Sequence, residues 1–343
     1  MSTAKHVQPD SVYHDLQKID AHIHQNSIRT ALQTEANKEG FRLVTINTDV
    51  PEFPDTEQQR QIASKCSSKL PGSLSFIATF SIDEWESADW QSKAIEQISK
   101  GWDQGAVAVK IWKNIGMVLQ DKEERFVMAD HPSFDPIYEY LAANEIPLLA
   151  HLGEPKNCWL PLEQMTVTSD KEYFTANPQY HMYLHSECPS YQDQLDARDR
   201  MLAKHNNLLF VGAHLASLEW SVDEIADWLD KHPNCGVDLA ERVCHLQYQA
   251  ISNHKKVKEF IETYQNRIIY GTDQIDDGSL GNDELRETIR TKWHNEFNFF
   301  ANDDLQTAWN VEKPFKGLGL EKKILKKLFL DNAIRYYPRL VDS

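Results

Sequence analysis

The sequence has no Cys-x-x-Cys pair, and its five cysteines, Cys66, Cys158, Cys188, Cys235 and Cys244, are an odd number. That pattern argues against a disulfide framework and for a reducing compartment, so a cytoplasmic location is expected. No apolar run approaches the roughly 20 residues that span a bilayer, so no membrane association is expected. The stretch Met1 to Asp10 lacks an apolar core and is not expected to act as a secretory signal. Positive charge is in short supply: 36 Lys and Arg stand against 52 Asp and Glu, for a net charge of -16. A chain of that sign repels phosphate backbones, so nucleic acid is not an expected partner. The one dense basic cluster, Lys322, Lys323, Lys326 and Lys327, has the spacing of a single solvated helix face. No Gly-rich phosphate fingerprint follows the first strand, which argues against a dinucleotide site. Repeats, low-complexity tracts and interdomain linkers are also lacking, so residues 1–343 read as one domain.

What is present is a regular alternation. Hydrophobic residues make up 41% and charged residues 26% of the chain, enough for a sizeable core. Apolar, β-branched stretches at 18–24, 41–46, 74–80, 106–111, 146–151, 208–214, 235–239 and 267–273 read as strands. Helical stretches separate them, at 29–38, 55–70, 88–100, 134–144, 191–205, 222–231 and 251–264, with further helices at 283–300 and 321–329. Gly40 and Gly101 stand in the position of helix C-caps. Near-continuous apolar strands alternating with helices indicate a parallel sheet covered by helices. Eight such units predict an α/β fold, a (β/α)8 TIM barrel, with an open doubly wound sheet as the alternative. The strand-to-helix loops 112–133, 152–190 and 274–282 are long, and in a barrel they emerge on the catalytic face. The loop 152–190 is a candidate lid.

Chemistry-bearing residues gather at the strand ends. His22 and His24 close the first strand, where alternation points two imidazoles the same way. Lys110 lies near the end of the fourth strand, His151 ends the fifth, His214 the sixth and Asp273 the eighth. Barrel closure brings these ends around one mouth. Three histidines and a carboxylate suit zinc, iron or manganese, although any one strand-end histidine could instead cap a loop carbonyl.

The motifs Asp20-Ala21-His22-Ile23-His24, His151-Leu152-Gly153-Glu154-Pro155, Gly212-Ala213-His214 and Gly271-Thr272-Asp273 resemble those of the amidohydrolase superfamily. The nearest likeness is to the amidohydrolase-related branch that also holds metal-dependent decarboxylases. The ending Asn332-Ala333-Ile334-Arg335-Tyr336-Tyr337 is similar to that branch as well. The resemblance implies a metal-dependent barrel enzyme with His22, His24, His151 and Asp273 as ligands. It implies a catalytic or second-metal role for His214. In binuclear relatives a lysine in this strand is carboxylated and bridges two ions; for Lys110 a buried lysine paired with a barrel carboxylate is the preferred reading.

The expected cofactor is therefore one divalent ion, zinc first, with Mn2+ or Fe2+ as alternatives. Such an ion brings the pKa of its water to about 7. Asp273 is the expected general base, and His214 the group that bonds the water or polarises the scissile carbonyl. Arg242 is a candidate partner for a substrate carboxylate, against an equal reading as a surface salt bridge to Glu241 or Asp238. Trp112, Trp159 and Tyr183 are candidate pocket aromatics, and Glu154 and Glu187 candidate acids. The expected function is hydrolysis of a small lactone, ester or amide. Decarboxylation on the same site is the alternative, and a barrel using its metal for structure or binding alone is a third. The partner expected is a small molecule, with a homo-oligomer left open.

Overall fold

The computed structural model describes residues 9–341. Met1 to Gln8, most of the polar N-terminal stretch, lie outside the described residues. The parallel strands are β1 (Lys18–Gln25), β2 (Phe41–Ile46), β3 (Leu74–Ile77), β4 (Val109–Ile111), β5 (Leu148–Ala150), β6 (Phe210–Gly212), β7 (Gly236–Asp238) and β8 (Ile268–Ile269). A short strand β9 (Gln274–Asp276) continues β8 and pairs in parallel with β1. Hydrogen bonding runs in the orders β3-β2-β1-β9 and β4-β5-β6-β7-β8. Two joints close the ring. The bridge Ala78↔Val109 links β3 to β4. Across the other joint, Ala21 N–H donates to Tyr270 O at 3.0 Å and Asp273 N–H to His22 O at 2.7 Å. The result is an α/β barrel of the (β/α)8 type.

The barrel interior is filled by Ile19, Ala21, Val44, Ile46, Ile77, Ala108, Leu149, Val211 and Ile269. Tyr336, Tyr337 and Leu340 from the C-terminal helical segments pack onto this cluster. Alternation then carries the inward face upward, from Ala108 to Lys110, from Leu149 to His151, and from Ile269 through Gly271 to Asp273. On β1 alternation alone would turn His22 away from Ile19 and Ala21. The β1–β2 pairing shifts register between Asp20 and Ile23, and this irregularity passes the inward face from Ala21 to His22 and His24. Gly271 makes room for it: a Cβ there would stand 2.6 Å from His22 Cβ.

Several boundaries differ from the sequence reading. Gly101 lies inside the helix Trp90–Asp103 rather than past its end, because a Cβ there would meet Ala78 Cβ at 2.7 Å and glycine is needed for helix–strand approach. The helix expected from residue 251 begins at Val243 and is interrupted at Asn253 (φ -149°, ψ 72°). An antiparallel hairpin, β10 (Leu305–Ala308) and β11 (Val311–Lys316), lies between the last two expected helices, where the sequence reading places no element. The loop 152–190 is not featureless: it holds the helix Thr168–Ala176 and its own apolar cluster of Cys158, Met165, Phe174 and Met182. The basic cluster is solvated, with Lys322, Lys323 and Lys326 facing Asp15, Glu321 and Asp331. Among the described residues no helix is long and apolar enough to cross a membrane, and all five cysteines are free thiols.

Candidate metal centre

The C-terminal mouth of the barrel opens into a cavity of about 400 Å³. His22, His24, Lys110, His151, His214 and Asp273 all line it, as do Trp112, Glu154 and Arg242. Ligand atoms of His22, His214 and Asp273 lie within 4.8 Å of one another. His24 Nε2 stands 3.1 Å and His22 Nε2 3.3 Å from Asp273 Oδ1. The His151 ring lies 4.2 Å from that of His214, centre to centre.

Three of the four rings are oriented from behind. His22 Nδ1 is 2.7 Å from Asp238 Oδ2. His24 Nδ1 is 2.9 Å from Ile46 O, and His214 Nδ1 is 2.9 Å from Ala240 O. A carbonyl or an ionised carboxylate only accepts, so the proton of each ring sits on Nδ1. All three Nε2 atoms therefore present lone pairs towards the Asp273 carboxylate. Burial pushes His24 and His151 below the ordinary imidazole range and His214 down to about 3, which keeps these rings neutral. Acceptors gathered around a carboxylate oxygen repel one another unless a cation lies between them. His151 Nε2 is buried with no hydrogen-bond partner, although Glu154 Oε2 is 3.3 Å away. This donor set, imidazole nitrogens, three of them on rings tied back at Nδ1, plus one carboxylate, fits a divalent ion of the zinc, iron or manganese type.

The backbone is strained where these side chains arise. His214, Leu215, Ala216 and Ser217 all have φ between 56° and 57°, a left-handed turn that costs roughly 1–2 kcal/mol per residue. It folds Ala216 back onto β6, and a Cβ on Gly212 would stand 2.5 Å from Ala216 Cβ. Glu241 (φ 55°) and Asp273 (φ 62°) are also left-handed, so three adjacent strand ends store strain at the mouth.

The family model described as Amidohydrolase matches residues 88–339. The chain belongs to this amidohydrolase family. No curated protein matches it. Among solved structures, 2,6-dihydroxybenzoate decarboxylase complexed with 2,6-dihydroxybenzoate is 13% identical, with 94% of this chain and 99% of that one covered and a TM-score of 0.52. 4-Oxalomesaconate hydratase from Rhodopseudomonas palustris is 13% identical, with 95% and 97% covered and a TM-score of 0.50. At such identity the likeness is one of fold.

The remaining candidates of this amidohydrolase fall into two groups. Trp112, Glu154 and Arg242 reach the cavity. Arg242 is a partly buried wall residue, not a surface one: its ion-pair partner is Asp170 of the long loop, at 3.8 Å, and its Nε is buried without a partner. Asp238, the other surface partner considered for it, is buried under His22. Glu154 is ion-paired with Lys113. Lys110 is buried and makes no direct ion pair among the described residues; burial lowers it to about 8 against the pull of Asp238 and Asp273. Trp159 and Tyr183 do not line the cavity: Trp159 packs on Tyr191, and Tyr183 is 53% exposed. Glu187 pairs with His185 on the surface.

Sequence reasoning missed Lys113, Asp170, Asp238 and Trp309. Asp170 accepts from Asn157 Nδ2 at 2.8 Å and faces His245 Nε2 at 3.2 Å. Burial works against its charge, yet His245 and Arg242 hold its carboxyl at about 2. The helix Thr168–Ala176 is thereby latched onto the helix Val243–Thr263, which covers one side of the mouth. Trp309, on the hairpin turn, reaches the rim. Only Asp238 carried a local signal, a carboxylate closing the apolar run Cys235 to Val237.

Proposed function

We propose that the chain is a metal-dependent hydrolase that cleaves a lactone, ester or amide bond of a small molecule. The observation that carries this reading is the convergence of imidazole lone pairs on Asp273. In the reading proposed, His22, His24, His151 and Asp273 hold one divalent ion, and zinc suits the nitrogen-rich donor set. Such an ion, when bound, supplies Lewis acidity and brings water towards a pKa of about 7. Asp273 takes the proton of the attacking water as general base.

His214 has a narrower role than the sequence suggested. With its proton on Nδ1 it offers only a lone pair, so it orients the water by accepting a hydrogen bond and does not donate to an oxyanion. The cationic groups of the wall, Lys110 and Arg242, are better placed to stabilise negative charge as it develops on the substrate. The helix Thr168–Ala176 keeps solvent from the cavity while Arg242 binds a carboxylate or other anionic group of the substrate.

A second reading, non-oxidative decarboxylation, is favoured by one observation. Lys113 joins Arg242 and Lys110 in the cavity lining, and these cations, two of them paired with Glu154 and Asp170, are groups that can meet a substrate carboxylate. A panel of lactones, amides and aromatic carboxylic acids, assayed for acid release and for carbon dioxide, separates the two. Acid release from a lactone or amide is the expected result. Carbon dioxide from an aromatic acid, with no lactone or amide cleaved, replaces hydrolysis with decarboxylation.

A further inference from the structure

The strained peptide that carries Asp273 is held from two sides. On one side Asp20 accepts from Thr272 N–H at 3.0 Å and from Thr272 Oγ1 at 2.7 Å. It also accepts from Trp293 Nε1 at 2.9 Å. On the other side Lys292 Nζ donates to Thr272 O at 2.7 Å. The same ammonium is ion-paired with Glu241. Lys292 sits on the helix Asn282–Ala301, outside the cavity that holds the imidazoles.

We propose that Lys292 is a positioning residue for the metal centre, a single ammonium that fixes the left-handed ends of β7 and β8 and so sets where the Asp273 carboxylate points. The inference rests on the metal reading above. Glu241 and Asp273 are both left-handed, and each is tied to Lys292, Glu241 through its side chain and Asp273 through the carbonyl of the preceding residue. A left-handed non-glycine residue persists only where its surroundings over-determine it. Here every polar group of Thr272 is occupied, N–H and hydroxyl by Asp20 and C=O by Lys292. Asp273 N–H is taken by His22 O at 2.7 Å. Burial alone would lower the Lys292 ammonium, but the Glu241 carboxylate paired with it raises it, so the donor stays charged. Loss of Lys292 leaves Thr272 O without its donor, and the peptide relaxes towards ordinary φ, swinging the carboxylate away from His22 and His24.

The test is zinc affinity, measured by competition with a chromophoric chelator, with circular dichroism to confirm folding. Groups that support a metal ligand from behind are typically worth 10–100-fold in affinity, and Lys292→Met is expected to fall in that range. Lys292→Gln, too short to reach Thr272 O, carries the same expectation and serves if the Met variant does not fold. The double variant Lys292→Met with Glu241→Gln tells positioning from charge balance. If Lys292 acts through the Thr272 carbonyl, the pair stays as impaired as Lys292→Met. Recovery of wild-type affinity in the pair, or wild-type affinity in both single variants, overturns the proposal. A wild-type protein that binds no divalent ion would instead overturn the metal reading itself.

Discussion

Asp238→Asn is the substitution that most sharply probes the orientation of the imidazoles. Asp238 Oδ2 holds His22 Nδ1 at 2.7 Å, while Oδ1 accepts from the N–H of His214 at 2.7 Å and of Ala240 at 3.2 Å. An asparagine can keep the two backbone bonds with its single oxygen. Its NH2 then meets the Nδ1–H of His22, donor against donor. The alternative, turning the oxygen to His22, strands two buried N–H groups at about 1–3 kcal/mol each. The cheaper outcome moves the His22 proton to Nε2, the atom that faces Asp273, and removes its lone pair. The expected cost is 10–100-fold in metal affinity, or about 1.4–2.8 kcal/mol. The assay is chelator competition for zinc at neutral pH on protein shown to be folded. Folded Asp238→Asn that binds zinc as tightly as wild type would refute the tautomer argument, and with it the claim that the donors are set from behind.

Arg242→Met should weaken binding of a carboxylate-bearing ligand by roughly 10–150-fold, the worth of a charged hydrogen bond, without changing metal content; equal affinity in both proteins, by calorimetry, would remove Arg242 from the substrate site. His214→Asn should abolish turnover while metal is retained; metal lost in proportion to activity would make His214 a ligand. Glu296 offers a pH test. Burial raises its carboxyl to about 8, against the pull of Lys292. The folded state therefore holds a proton that the unfolded chain releases near 4.3. This group's stabilisation is full below that value and is lost as pH rises to about 8, by up to roughly 5 kcal/mol. Glu296→Gln should thus raise Tm relative to wild type more at pH 9 than at pH 5, and an equal difference at both would contradict it.

Much of the barrel was legible because its strands are apolar runs whose period and spacing survive in the sequence. The inward-facing sets Ala108/Lys110 and Leu149/His151 follow from alternation alone. His22 and His24 did so only in part, since the register shift on β1 that turns them inward leaves no local mark. The helix from Val243 was half seen because it leaves β7 without a capping side chain and breaks at Asn253. The hairpin β10–β11 was hidden by Pro314, a residue that argues against a strand, and by its mostly exposed face. What the sequence could not show was pairing at a distance. Lys113 with Glu154, Arg242 with Asp170, and Lys292 with Thr272 each join different elements, 20 to 72 residues apart for the latter two, and no spacing rule predicts them.

In the function proposed, the strand-end cluster holds a metal ion. This is tested most directly by elemental analysis of purified wild-type protein beside the His22→Ala, His24→Ala double variant. About one divalent ion per wild-type chain is expected, zinc for preference, and little or none in the variant. Full metal content in the double variant, or a wild-type protein that neither contains nor takes up a divalent ion, would contradict it.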